Sequence, residues 1–319
     1  MESTLNRLAP VFLAGPTAVG KSEIAIALAE RLGAEIISVD SMQVYRGMEI
    51  GTAKPSAVDR ARVPHHLLDV VDLQEPFDAA RFIQLAQEAV TGIRARGKVP
   101  LFCGGTGLYF KAYLEGLSVT PPADAGLRES LRATPMADLL RELAERDPVM
   151  YSQVDRQNPR RVIRAVEVIR LTGRPFSEQR ARWTDNAHAT TSSSEQFGLC
   201  RPPGELHTRI EARVDDMFHR GLVAETAQLL EHGLARNPIA LQALGYRQVV
   251  EHLQGARSLP QTIELVKIRT RQFARRQMTW FRRQMRLNWL HLKPATDSIA
   301  VADKVFEAIR GPQTLVPEP

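Results

Sequence analysis

Apolar positions in this chain follow two rhythms. The first is a set of short unbroken runs. Pro10–Gly15 reads Pro-Val-Phe-Leu-Ala-Gly, Glu35–Val39 reads Glu-Ile-Ile-Ser-Val, and Val99–Cys103 reads Val-Pro-Leu-Phe-Cys. Each is too short for a buried helix and none alternates with polar residues, which predicts strands of a sheet covered on both faces. The second rhythm is longer and helical. Glu23–Leu32 is rich in helix formers and stops at Gly33, and Phe82–Arg96 is closed by Gly97. Strand, helix, strand, helix, strand in this order predicts a parallel α/β sheet.

The pattern changes after Gly116. Residues 118–200 carry long helical patterns with many Arg, and end in a small polar stretch, Ala187–Ser194. A returning strand is predicted at Phe197–Arg201, then helices at Leu206–Glu231, Ile239–Leu253 and Pro260–Leu287. The expected organisation is a core of residues 1–117 and 201–290 interrupted by a helical insertion, 118–200. A C-terminal segment, 291–319, follows, with Pro312–Pro319 expected to be disordered. There is no internal repeat.

Length agrees with this division, since 319 residues suggest two domains or one with a large insertion. With 44% hydrophobic and 24% charged residues the chain has core material enough to fold. Cys103 and Cys200 are too few for a disulfide framework or a Cys-rich zinc site, so a reduced, cytoplasmic protein is expected. No apolar run reaches the ~18 residues a membrane span needs. The first ten residues lack the apolar centre of a signal peptide, so no leader is expected. Nothing in the composition calls for more than a monomer.

Charge sharpens the picture because it is unevenly placed. The net +6 resides in residues 201–319, while 1–119 carry −1 and 120–200 carry +1. Nine basic residues and no acidic one lie from Lys267 to Lys293. Eight Arg lie between Arg156 and Arg182 against Glu167 and Glu178. Two such tracts in a nearly neutral protein point to a polyanion on particular surfaces. In the last long helix Arg271, Arg275, Arg282 and Arg286 share one face, and Arg269, Arg276 and Arg283 form a second row. Val266, Phe273, Trp280 and Leu287 recur every seven residues and are read as core packing.

The candidate chemistry sits at the end of the first strand. Gly15-Pro16-Thr17-Ala18-Val19-Gly20-Lys21-Ser22 matches the phosphate-loop pattern, in the strand-before, helix-after context that confirms it. Its glycines let successive amides form an anion nest, and the following helix points its positive end there. Lys21 supplies a mobile cation and Ser22 a hydroxyl for Mg²⁺. The loop alone does not name the phosphate ester. The expected architecture is α/β, a P-loop NTPase-like parallel sheet core with a mostly helical insertion domain and a helical C-terminal region. The usual strand-end acid after Val99–Cys103 is replaced by Gly-Gly-Thr. Asp40, at the tip of the second strand, is the acid beside the loop, fit either to bind Mg²⁺ or to accept a proton. Thr106 can bond a phosphate or cap a helix. His65-His66 lack companions at metal-ligand spacing, and Cys103 reads as packing.

The ordered motifs resemble one family. Gly15–Ser22 (GPTAVGKS), Ile37–Tyr45 (ISVDSMQVY), Met48–Pro55 (MEIGTAKP), Pro64–Asp69 (PHHLLD), Gly104–Lys111 (GGTGLYFK), Gly245–Gln248 (GYRQ) and Arg271–Trp280 (RQFARRQMTW) follow one another as in bacterial tRNA dimethylallyltransferases. The resemblance covers roughly residues 10–290 and implies transfer of a dimethylallyl group from dimethylallyl diphosphate to N6 of adenosine 37, beside the anticodon of tRNAs reading codons that begin with U. It implies Mg²⁺ as cofactor, and the tRNA anticodon stem-loop as partner. It hands the loop to the donor's diphosphate, makes Asp40 the base, and adds Thr106 and Arg213 to catalysis, with Arg209 as the weaker alternative to Arg213. For tRNA it implies Asp40, Ser41, Met42, Gln43 and Thr106 near the extruded base. It further implies Arg128, Arg160, Arg161 and Arg164 on the stem, and Gln242, Gly245, Tyr246, Arg247, Arg275, Arg276, Gln277, Trp280 and Arg282 on the loop side. A small-molecule P-loop kinase leaves the C-terminal arginines unexplained. A transferase for free adenine nucleotide is expected to lack so large a basic region, and an RNA-binding protein with a vestigial loop sits badly with an intact Gly-Lys-Ser.

Overall fold

The structure, a computed structural model, describes residues 9–117, 120–179, 195–294 and 296–310. The first strand, β1 (Val11–Ala14), is followed by α1 (Lys21–Leu32), β2 (Ala34–Val39), α2 (Ala57–Arg62), the two-residue β3 (His65–His66), α3 (Ala79–Ala95), β4 (Val99–Gly104) and α4 (Gly107–Glu115). Then come α5 (Ala125–Ala133), α6 (Met136–Arg146), α7 (Pro148–Gln153), α8 (Pro159–Thr172) and α9 (Phe176–Gln179). The chain returns through β5 (Gln196–Cys200), α10 (Pro203–His219), α11 (Leu222–Glu231), α12 (Tyr246–Leu253), α13 (Leu259–Gln284), β6 (Asn288–His291) and α14 (Ser298–Arg310).

The six strands form one parallel sheet in the order β3-β2-β4-β1-β5-β6. Register is set at Val11↔Leu101, Phe12↔Gln196 and Ala34↔Val99. Successive strand side chains point to opposite faces, and both faces are buried. Phe12, Ala14, Ile37, Val39 and Phe102 join the core under α3, where the Phe12 and Phe102 rings stack at 4.9 Å. Val11, Leu13, Ile36, Leu101 and Leu199 join the core built with α1, α10 and α14. That double burial is why the strands read as unbroken apolar runs.

The described residues form two compact units, one running to Leu114 and resuming at 195, the other from Glu115 to 179. The second has its own core, including Leu131, Leu139, Leu143, Val162, Val166 and Ile169. Its central helix, α8, starts with the Asn158 side chain accepting from the Arg161 N–H and stops at Gly173, whose φ is 71°.

Several boundaries differ from expectation. Gln196–Cys200 pairs with β1 and belongs to the sheet, so the insertion does not extend to 200. The run 206–231 is split because Gly221 (φ 99°) ends one helix and starts the next. The last long helix stops at Gln284, and residues 288–291 form an edge strand beside β5. The segment after 291 contains α14, whose Val301, Ala302 and Val305 are buried against the core. Ala187–Ser194 and Pro312–Pro319 lie outside the described residues. No helix among the described residues is long and apolar enough to cross a membrane.

Candidate active site

The C-terminal ends of β1, β2 and β4 lie side by side, because Ala14 pairs with Gly104 and Gly104 with Val39. The phosphate loop leaves β1 at this edge. Ala18 and Gly20 both take left-handed backbone angles, φ 62° and 104°. For Ala18 that costs on the order of 1 kcal/mol. Arg209 Nε donates to the Ala18 carbonyl and Arg201 Nε to the Val19 carbonyl, each at 2.9 Å. Arg201 is itself held by Glu205 and by the Lys293 carbonyl. These bonds fix two loop carbonyls and set positive charge beside the loop. Sequence alone does not single out Arg201, although it is the last residue of the predicted strand Phe197–Arg201, whose end had to reach the same edge.

A cavity of about 370 Å³ opens over this edge. Its polar lining includes Lys21, Ser22, Ser38, Asp40, Thr106 and Arg213. Its apolar lining includes Val214, Met217, Ala243, Val266 and Phe273. Lys21 Nζ donates to the Pro16 carbonyl at 2.7 Å. Burial, helped by the Arg213 cation, lowers its pKa to about 8, while Cys103 and Asp40 oppose the shift. Burial also lowers the pKa of Arg213, and again Asp40 opposes it. The three charged groups thus act on one another around the cavity. Arg213 lines it, whereas Arg209 is occupied by the loop backbone.

Asp40 caps its own turn. Oδ1 accepts from the Met42 N–H at 2.8 Å and the Gln43 N–H at 3.2 Å, and Oδ2 takes no hydrogen bond among the described residues. The next amide, Ser41 N–H, donates to Thr106 Oγ1 at 3.2 Å. Gly105 and Thr106 N–H both donate to the Val39 carbonyl, folding the β4 turn over the end of β2. Gln43 lines the cavity, and its side-chain amide is bonded within the protein. It accepts from Ser38 Oγ at 2.8 Å and donates to the Thr52 and Ala53 carbonyls.

Gln43 thereby braces a strap, residues 49–55, that closes one side of the cavity. Lys54, buried, donates to the Tyr45 carbonyl and pairs with Glu49 and Asp69, while Arg60 pairs with the same two carboxylates. Glu225 accepts from the Ile50 and Gly51 N–H groups and from Tyr246 Oη. Tyr246 is therefore core, not an RNA-facing residue, and Gly245 is buried at the start of α12. A Cβ on Gly51 would sit 2.4 Å from the Tyr246 ring. Among the described residues no group of three or more His, Cys, Asp or Glu could hold a metal. His66 instead contacts Glu35, whose carboxyl the Arg96 hydrogen bonds hold down to about 2. Cys103 lines the cavity, and burial pushes its thiol up to about 11.

The expected RNA-facing arginines separate into two groups. In the insertion, Arg128 and Arg164 both pair with Glu167, which is fully buried, and Arg164 also donates to Thr120 Oγ1 and the Pro121 carbonyl. They serve the fold of that unit. Arg160 and Arg161 are exposed, with no carboxylate partner among the described residues. On α13, Lys267 and Arg271 are engaged by Asp215 and Glu211. Arg275, Arg276, Arg282 and Arg283 are exposed with no carboxylate partner among the described residues. Arg247 is exposed but bonded to Glu251 and to the exposed Gln242. Trp280 packs over Gly107, where a Cβ would meet its ring at 2.1 Å. The buried seam of α13 runs Thr262, Val266, Thr270, Ala274, Gln277, Phe281, so Phe273 is not core: it is exposed beside Arg276. Gln277, expected to face RNA, is 8% exposed and bonded to the phosphate loop.

A profile of the IPP transferase family matches residues 43–284. A tRNA dimethylallyltransferase of Desulforudis audaxviator is 44% identical over 304 residues, covering 94% of this chain and 97% of the relative. The chain belongs to the IPP transferase family. A Geobacter metallireducens tRNA dimethylallyltransferase is 43% identical, covering 91% of this chain and 94% of the relative. The full-length tRNA isopentenylpyrophosphate transferase of Bacillus halodurans superposes with a TM-score of 0.69 at 35% identity, covering 95% and 97% of the two chains. A eukaryotic dimethylallyltransferase acting on tRNA gives 0.71 at 29% identity, covering 89% of this chain and 73% of its own. The IPP transferase profile begins at Gln43, so the phosphate loop and Asp40 lie before it and are spanned by the near full-length relatives instead.

Proposed function

We propose that this IPP transferase moves the dimethylallyl group of dimethylallyl diphosphate onto N6 of adenosine 37, in the anticodon stem-loop of tRNAs reading codons that begin with U. The observation that carries this reading is the meeting of Asp40 with Lys21 and Arg213 around one cavity that also has an apolar wall. The cations and the loop suit a diphosphate, the apolar wall suits a five-carbon chain, and the carboxylate suits an amine.

The exocyclic amine attacks the allylic C1. The C1–O bond breaks, its electron pair leaves with diphosphate, and the N6 proton passes to the Asp40 carboxylate. Charge grows on the leaving oxygen, which Lys21, Arg213, the amides at the start of α1 and the Thr106 hydroxyl would stabilise. Oδ2 is the oxygen open to receive the proton, because Oδ1 is committed to Met42 and Gln43. The residues fit Mg²⁺ held mainly by substrate: Ser22 is exposed and lines the cavity beside Lys21, and phosphate oxygens and waters commonly complete such a shell. When bound, the ion would neutralise diphosphate charge. We assign the RNA backbone to Arg160 and Arg161 and to Arg275, Arg276 and Arg282, and read the protein as a cytoplasmic monomer.

The deciding assay incubates the protein with labelled dimethylallyl diphosphate and unmodified stem-loop carrying A36-A37-A38. Label on A37 is expected, whereas label on free AMP alone, or ATP-dependent transfer to a metabolite, would overturn the reading. RNA and donor are expected to respond differently to salt. RNA affinity should fall steeply with log salt, by about 0.7–0.9 per phosphate contact, because counterions are released. Donor affinity rests on the loop amides and a few partly buried cations, so it should change far less, and parallel slopes would contradict this division.

Lys21 gives a pH prediction. With a pKa of about 8 in the open site it is partly neutral near pH 8. Diphosphate favours the cation, so binding at pH 8 must take up a proton, and donor affinity must fall as pH rises above about 8. Calorimetry in buffers of different ionisation enthalpy should show this uptake in the wild type and lose it in Lys21→Arg. Equal proton counts in both proteins would remove Lys21 from the anion site.

A further inference from the structure

We infer that Gln277 is a positioning residue that locks the phosphate loop to the Thr106 turn; the proposal rests on the transfer reading above. β1 and β4 are paired through Ala14 and Gly104, but their chains diverge immediately afterwards, into the phosphate loop and into Gly105-Thr106. Gln277 of α13 spans that divergence. Its Oε1 accepts from the Thr17 N–H at 2.9 Å, and its Nε2 donates to the Gly105 carbonyl at 2.9 Å. A backbone donor on one side and a backbone acceptor on the other allow the amide only one orientation. The side chain is 8% exposed and its bond to Gly105 is buried, so that bond has no water as a ready substitute.

The glycine pattern of the turn fits the same arrangement. A Cβ at Gly105 would lie 2.4 Å from Gln277 Nε2 and 3.4 Å from the Gly15 carbonyl. The absence of a side chain at Gly105 is what admits the Gln277 amide. The consequence is geometric. Thr17 belongs to the loop that carries Lys21, and Gly105 precedes Thr106, whose hydroxyl receives the Ser41 N–H beside Asp40. Gln277 therefore sets the spacing between the leaving-group side and the proton-accepting side of the cavity. It does so from a helix whose exposed face carries Arg275, Arg276 and Arg282.

The test compares wild type, Gln277→Leu and Gln277→Glu. Leucine keeps the volume and removes both bonds. It should lower kcat by about 10–100-fold, as when a hydrogen bond that orients metal ligands is removed. It should also weaken inorganic diphosphate measured by calorimetry, with stem-loop Kd unchanged. Glutamate accepts from Thr17 but opposes a carboxylate to the Gly105 carbonyl until it is protonated. Its relative activity should therefore rise as pH falls, because a protonated carboxyl restores the donor, while Gln277→Leu shows no such recovery. Weakened stem-loop Kd with intact kcat would make Gln277 an RNA contact and overturn the proposal. So would wild-type kcat and diphosphate affinity in both variants. A wild type that binds diphosphate but transfers no label sinks the transfer reading alone, and the diphosphate arm still decides Gln277.

Discussion

Replacing Asp40 with alanine should slow transfer by about 10²–10⁴-fold, the range lost when a general base is removed. Alanine also strips the cap from its own turn, since Oδ1 holds the Met42 and Gln43 amides. Asp40→Asn separates the two roles. An asparagine carbonyl can occupy the Oδ1 position and keep both amide bonds, but its NH₂ cannot accept a proton. If Asp40 takes the N6 proton, both variants lose turnover in single-turnover assays with bound RNA and donor. If Asp40 is only a cap, Asn retains near wild-type rates and Ala alone is slow. Losing a carboxylate also removes attraction for Lys21 and Arg213, so donor affinity in the variants should hold or improve. A loss in kcat/KM as large as the loss in kcat is the signature of a group used in the transition state.

Gly104→Ala should cost about 3 kcal/mol or more, at the upper end of overpacking changes, and abolish activity with it. A Cβ there would lie 2.1 Å from the Val39 carbonyl oxygen and 2.5 Å from its carbon. Both are backbone atoms in the neighbouring strand, so no rotamer change relieves the contact. β2 and β4 would have to part at their C-terminal ends, where Asp40 and Thr106 begin. Gly204→Ala is the control. Gly204 lies in α10, nothing stands within 4 Å of the added methyl, and its φ is not positive. It should be neutral or gain about 0.5–1 kcal/mol, because alanine loses less entropy in a helix. Urea midpoints at constant m would measure both. A Gly104→Ala protein as stable as wild type would mean that the strands can separate without penalty.

Much of the site was legible because its parts are local. Gly15–Ser22 is a contiguous loop whose function follows from glycine freedom and the helix that starts at Lys21. Asp40 was legible because a strand end in a parallel sheet faces the crevice. The preference for Arg213 over Arg209 rests on resemblance; the structure adds that Arg213 lines the cavity while Arg209 donates to the Ala18 carbonyl. Less legible were the roles of Gln43, Tyr246 and Gln277. All three look like ordinary polar or aromatic candidates, yet their partners lie far away in sequence or in a strap with no regular periodicity. Thr17 and Gln277 are 260 positions apart, and no local pattern encodes that contact. The two-residue strand at His65–His66 is likewise too short to carry a hydrophobic rhythm.

Sequence by itself determined the central strands and the helices between them, the parallel core, the phosphate loop, the candidate base and the presence of two basic tracts. Those depend on interactions within a few residues, on strand burial and on net composition. Only the tertiary structure decided which charges remain available. Arg128 and Arg164 are consumed by one buried glutamate, and Arg201 and Arg209 by loop carbonyls, whereas Arg160, Arg161, Arg275 and Arg276 face solvent. The reason is that a buried carboxylate or carbonyl must be satisfied by whichever donor the fold brings within about 3 Å. Sequence spacing states how many arginines there are, and packing alone states which of them have an unmet charge to offer an RNA.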